Sequence, residues 1–256
     1  MAISPNGQKV FVASAGNSTV SVIDTSSNTV TTTFPVGGAG APFGVAVTPD
    51  GTTLYVSING ATSIILPINI TSLIPGTPIP LGGAIGAAFL TINPNGQSLY
   101  VGRQSTGPII VINIPTNTVA TTITLSPSSS PFRIGVTPDG TKGYATTGNG
   151  ITSAVYPLNF TTNTSSAPLT LAGAPFGLAI TPDGKTAYVA DGLSQVFPID
   201  VLTNTVGTPF PEGSGPSCIA ITPDQSPLAT FVATTGAPGT STFLMLQNLF
   251  LLLEQL

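Results

Sequence analysis

The 256-residue chain is nearly uncharged, with 5 Lys plus Arg against 9 Asp plus Glu, a net charge of -4, no histidine, no tryptophan and one cysteine. Five scattered cations argue against nucleic-acid binding, which draws its free energy from clustered Lys and Arg on phosphates. The missing histidine excludes a Ser-His-Asp relay and removes the commonest general base and metal ligand, and the single Cys218 excludes an intrachain disulfide.

A stretch best seen at 175–191, Pro-Phe-Gly-Leu-Ala-Ile-Thr-Pro-Asp-Gly-Lys-Thr-Ala-Tyr-Val-Ala-Asp, returns along the chain, and its turn proline recurs as Pro5, Pro49, Pro94, Pro138, Pro182 and Pro223. The separations of 44, 45, 44, 44 and 41 residues, filled with short extended runs, predict an all-β propeller of about six four-stranded blades, the first truncated and the last degenerate. Helical solenoids of similar period need long runs of helix formers, which are missing before the last fourteen residues. The predicted propeller covers 1–240, in units at about 1–38, 39–83, 84–127, 128–172, 173–212 and 213–240, followed by an atypical apolar segment at 241–256.

Met1-Ala2-Ile3 aligns with Val45-Ala46-Val47 and has none of the marks of a signal peptide, so the chain is expected to begin inside an inner strand, as a fragment would. In the first unit the second, third and fourth strands are predicted at 10–14, 19–24 and 29–36, and in the second unit four runs at 43–48, 53–58, 63–69 and, more poorly formed, 74–81. The first turn reads Pro-(Asp/Asn)-Gly in the first five units. Proline presets φ, the Asx side chain bonds back to the backbone, and glycine takes the left-handed residue.

Six residues beyond most of these prolines stands an aromatic, as Phe11, Tyr55, Tyr100, Tyr144 and Tyr188, with Phe231 following its proline by eight. Such rings are expected to fill the wedge between blades, their hydroxyls reaching a polar partner. Asp24, Asn69, Asn113, Asn159 and Asp200 recur at the end of the third strand, where an Asx caps the next turn. Three of these five are amides, which supply no charge to a divalent cation, so no metal site is expected there.

Tyr55-Val56-Ser57-Ile58-Asn59, Tyr100-Val101-Gly102 and Tyr188-Val189-Ala190-Asp191, each behind its Pro-Asx-Gly turn, resemble the YVTN β-propeller repeat, a relative of NHL and WD40-type blades. The resemblance covers about residues 1–235. It implies a propeller fold and a place among cell-envelope and surface-layer proteins, while related propellers include lactonases.

The links Gly37-Gly38-Ala39-Gly40-Ala41, Gly82-Gly83-Ala84-Ile85-Gly86, Ser126-Pro127-Ser128-Ser129-Ser130 and Gly213-Ser214-Gly215 are short loops. None has the lysine and following helix of a phosphate cradle. Two units depart from the repeat in their charge: Arg103 stands where the second unit has Ile58, and Arg133 replaces the glycine of Pro42-Phe43-Gly44 and Pro175-Phe176-Gly177. Both are expected on one face, as candidate ligand- or anion-binding residues that could hold a carboxylate or sugar acid, or else as solvated loop residues. Lys9, Lys142 and Lys185 follow the turns on the opposite face, and Cys218 lies in the apolar run Cys218-Ile219-Ala220-Ile221 as an expected buried thiol.

No catalytic, cofactor or metal residues are assigned. The expected function is a non-catalytic scaffold for a protein or glycan partner at the cell envelope or surface, with no nucleic-acid partner and no transmembrane segment. One alternative is a lactonase-like hydrolase of a sugar-acid lactone, with Arg103 and Arg133 as clamp and Asp191 or Glu212 as the nearby acid. The other is a self-associating surface-layer protein, suggested by low charge and open strand edges. The fourteen residues from Phe243 to Leu256 are too short to cross a bilayer and are read equally as helix or as a strand pair.

Overall fold

A computed structural model describes residues 1–37, 40–147, 154–211, 216–221 and 230–234. All its regular elements are antiparallel strands, and they group into two compact units, Met1–Thr124 and Leu125–Leu256. Among the described residues no helix is long and apolar enough to cross a membrane. The apolar segment 241–256, the link 213–215, Glu212 and the side chain of Phe231 lie outside the described residues.

The first unit holds three sheets, each a propeller blade. The first blade is β1 (Ala2–Ile3), β2 (Lys9–Ser14), β3 (Thr19–Asp24) and β4 (Thr29–Pro35); the second is β5 (Gly40–Val47), β6 (Thr53–Gly60), β7 (Ile64–Asn69) and β8 (Ile79–Pro80). The third is β9 (Ala87–Ile92), β10 (Ser98–Arg103), β11 (Ile109–Asn113) and β12 (Thr118–Ile123). Ala2 pairs with Phe11 as Ala46 pairs with Tyr55, so the short β1 carries the register of a repeat inner strand.

The second unit begins with β13 (Pro131–Val136), β14 (Lys142–Thr147) and β15 (Ala154–Asn159), whose outer strand is divided into β16 (Thr164–Ser165) and β17 (Leu169–Thr170). The fifth blade repeats this plan with β18 (Pro175–Ile180), β19 (Thr186–Asp191), β20 (Gln195–Asp200), β21 (Thr205–Val206) and β22 (Phe210–Pro211). Of the sixth, β23 (Pro216–Ile221) and β24 (Thr230–Thr234) are described.

Within each unit the blades stack through apolar clusters. Phe11, Val20 and Val22 of the first blade pack on Leu54, Val56 and Ile68 of the second, and Tyr55 and Ile65 of the second on Leu99 and Ile112 of the third. Tyr144 and Val155 meet Val189 and Ile199 in the same way. Burying each such side chain stabilises the fold by roughly 1.5–3 kcal/mol. Phe11, Tyr55, Tyr100 and Tyr144 are almost wholly inaccessible, which makes them core. Tyr188 is only half-buried, and its ring packs edge-to-face with Phe210, the ring centroids 6.2 Å apart.

The hydroxyls find defined partners. Tyr55 donates to Asn117 Oδ1 at 2.6 Å and Tyr144 to Asn204 Oδ1 at 2.7 Å, each tying one blade to the outer turn of the next. Both asparagines are left-handed, with φ of 52° and 56°, a conformation that asparagine tolerates better than branched residues. Where the first blade has Phe11, without a hydroxyl, the matching outer-turn residue of the second blade is Leu73, without an amide.

The fourth strand predicted at 74–81 is reduced to the two residues of β8, and the cause is one proline in the third strand. Pro67, Pro157 and Pro198 lie directly opposite Tyr55, Tyr144 and Tyr188. A proline there has no N–H for the outer neighbour, so the ladder stops. Its carbonyl is met by a loop donor, from Gly76, Ser166 or Gly207, at 2.8–2.9 Å. Val22 and Val111 replace it in the first and third blades, whose outer strands run on but shift register through a bulge at the same level.

Candidate functional site

The Pro-Asx-Gly turns use their carboxylates locally. Asp50, Asp139 and Asp183 accept from the hydroxyls of Thr48, Thr137 and Thr181 and from the backbone N–H two residues on. Donation by those threonines, then by the backbone, holds all three carboxyls below the ordinary aspartate value. Gly51, Gly96 and Gly184 close the turns at φ near +70°, each facing the turn proline of the preceding blade, Pro5, Pro49 and Pro138.

The Asx residues ending the third strands do the same for the outer turns. Asp24 Oδ1 takes the N–H groups of Ser26 and Ser27, Asn69 those of Thr71 and Ser72, Asn159 those of Thr161 and Thr162, and Asp200 that of Thr203. The Ser26 hydroxyl and Ser27 N–H bring the half-buried Asp24 down to about 2, and the Thr203 N–H lowers Asp200. Carboxyls lowered in this way are ionised at neutral pH and make poor general acids. Among the described residues no three His, Cys, Asp or Glu side chains gather as a metal site would require.

Arg103 belongs to the first unit and Arg133 to the second. Arg103 ends β10 and folds over its own loop: Nε and Nη2 donate to Ser105 Oγ at 3.4 and 3.3 Å, and Nη1 to the Pro108 carbonyl at 3.4 Å. Gly107, at φ +150°, gives the guanidinium room, since a Cβ there would collide with Nη1. Burial lowers the Arg103 pKa from its usual value.

Arg133 is half-buried on the inner strand β13, opposite Thr146. At the equivalent Gly44 and Gly177 an added Cβ would press on the next inner strand, at Ala88 or at the Cys218–Ile219 backbone, so the glycines permit close approach there and Arg133 is a departure from it. Burial lowers its pKa. Cys218 is half-buried, where the sequence predicted a buried thiol; it occupies the inner-strand position of Gly177, and its flanking Ile219 carries the burial.

Asp191 shares the repeat position of Arg103 and is fully buried. Its Oδ1 accepts from the N–H groups of Leu193 and Gln195 at 3.0 and 3.1 Å, while Oδ2 has no hydrogen-bond partner among the described residues. Gly173 abuts Oδ2 so closely that a Cβ would lie 2.6 Å from it. Lys142 and Lys185 border a cleft of about 510 Å³ with Asp139, Asp183 and Asp200, and Lys185 pairs with Asp183 at 3.6 Å in the open.

One concavity among the described residues was not expected from the sequence. It is a groove of about 910 Å³ in the first unit, between the outer rim of the second blade and the turn from β11 to β12. Pro67, Ile79 and Pro80 form part of one side and Thr118 and Val119 part of the other, and no charged residue lines it. The available signal was a polarity break: the other outer turns read Asn-Thr at 28–29, 117–118, 163–164 and 204–205, and this one reads Leu73-Ile74.

No family model and no curated protein matches the chain. Among solved structures it is similar to a Kuenenia stuttgartiensis hydrazine synthase chain, at 19% identity and a TM-score of 0.62 over 95% of this chain and 94% of that one. Likeness at that identity speaks for the fold alone, and with the four- and five-stranded antiparallel sheets it identifies an all-β protein of the β-propeller class.

Proposed function

We propose that the chain is a non-catalytic propeller scaffold of the YVTN type, presenting a rigid surface to a protein or glycan partner at the cell envelope or surface. The observation that carries this reading is the use of the described repeat carboxylates as turn caps, held ionised by the turns themselves. A rigid stack of blades with neutral, threonine-rich turns suits display, and the low charge suits an exported β protein. The test is turnover: purified chain should open gluconolactone no faster than buffer alone. Hydrolysis that disappears in Arg133→Ala would overturn the reading. Antibody labelling of unpermeabilised source cells should detect the chain, and labelling only after permeabilisation would remove the surface address.

One observation favours a second reading, a lactonase-like hydrolase. A fully buried carboxylate with one oxygen lacking a hydrogen-bond partner, Asp191, lies in the same unit as the half-buried cation Arg133. Under that reading Asp191→Asn abolishes lactone opening while the fold survives. Under the scaffold reading it leaves nothing to abolish. The hydrazine synthase likeness adds no chemistry to either reading.

A further inference from the structure

We propose that the outer rim of the second blade is a homotypic docking surface, on which Ile74 of one copy seats in the rim groove of a second copy and the reverse. This rests on the scaffold reading and names the partner as the chain itself.

The repeat supplies its own control. All five described outer turns hold a left-handed residue, at φ of 52–57°; four are asparagines followed by threonine, and the fifth is Leu73 followed by Ile74. A leucine in that conformation is strained, and Ile74 is 65% exposed. The Phe11 counterpart explains the loss of the amide at Leu73, because no hydroxyl is there to be met. It does not explain an isoleucine in water.

Ile74 is also held in place. Its carbonyl accepts the Asn69 N–H at 3.1 Å, and two residues on Gly76 donates to Pro67 at 2.8 Å. An apolar knob fixed by backbone bonds loses little entropy on docking. Ile74 is itself one lip of the groove, whose other walls include Pro67, Ile79 and Val119, the last 43% exposed. Knob and groove on one surface are the condition for an isologous pair, in which a two-fold axis brings each knob to the other's groove.

Charge chooses the occupant. A partner with a charged face would strip water from its ions with no countercharge in the lining. A second copy of a chain that is 5% charged avoids that cost. Strand addition is blocked at this rim by Pro67, so the contact is made through side chains.

Sedimentation velocity of the full chain, from micromolar to near-millimolar, should show a monomer converting to a dimer and stopping there. Ile74→Thr, which installs the residue of the other four blades, and Val119→Lys should each weaken the dimer by at least about tenfold with unchanged far-ultraviolet circular dichroism. Leu202→Thr removes an even more exposed leucine from the second unit and should leave the dimer unchanged. A monomer at every concentration, growth past the dimer, or an Ile74→Thr chain that pairs like the parent would overturn the proposal. A monomeric result leaves the scaffold reading standing, since that reading falls only on turnover or location.

Discussion

Each Tyr–Asn bond joins a buried ring to a turn held at positive φ, so losing the hydroxyl should be felt. Tyr55→Phe and Tyr144→Phe should each cost about 1 kcal/mol in urea unfolding, and Tyr55→Phe made on an Asn117→Ala background should cost clearly less. Equal costs on both backgrounds would show that the pair is not coupled. The ionisable groups give a second expectation. Aspartates whose folded pKa lies below the unfolded value contribute stability that is complete above pH 4 and disappears as the pH falls through the folded pKa, for Asp24 at about 2. Burial pushes Tyr144 up to about 12, so its contribution is complete below pH 10 and is lost as the pH climbs toward 12. With no histidine to titrate between, the urea midpoint should be flat from about pH 5 to 8 and fall at both extremes.

At the level of the strand, the outer edge of each blade from the first to the fifth is interrupted at one height, by proline in three and by a bulge in two. Both devices deny a neighbouring chain a continuous ladder. Pro157→Val should lengthen the fourth blade's outer strand and raise light scattering on prolonged incubation, and a variant as clear as the parent would show that the proline guards nothing. The same comparison explains what could be read beforehand. Period, turn chemistry and the Phe/Tyr column each recur at least five times in the sequence, so the blades, the aromatic core and the Asx caps at Asp24 to Asp200 were legible. Pro67 was passed over because Ile64 to Ile68 is apolar throughout, and a missing N–H changes nothing in hydrophobic pattern. The groove escaped because it needs Ile74 and Val119, 45 residues apart, to be brought together by packing.

At the level of the whole chain, 5% charge leaves solubility to hydroxyls, amides and backbone turns. The association of Ile74 rims should therefore be nearly insensitive to salt, unlike a pairing built on ions, and a dimer that dissociates steeply between low and high salt would contradict a neutral contact. The Tyr–Asn bonds also carry a consequence for synthesis. The hydroxyl of Tyr55 waits for an amide 62 residues downstream. At translation rates of 5–20 residues per second, that partner emerges about 3–12 s later. Neither the second blade nor the fourth reaches its final hydrogen bonding on its own, and on the ribosome each is locked only when the blade that follows it has been made.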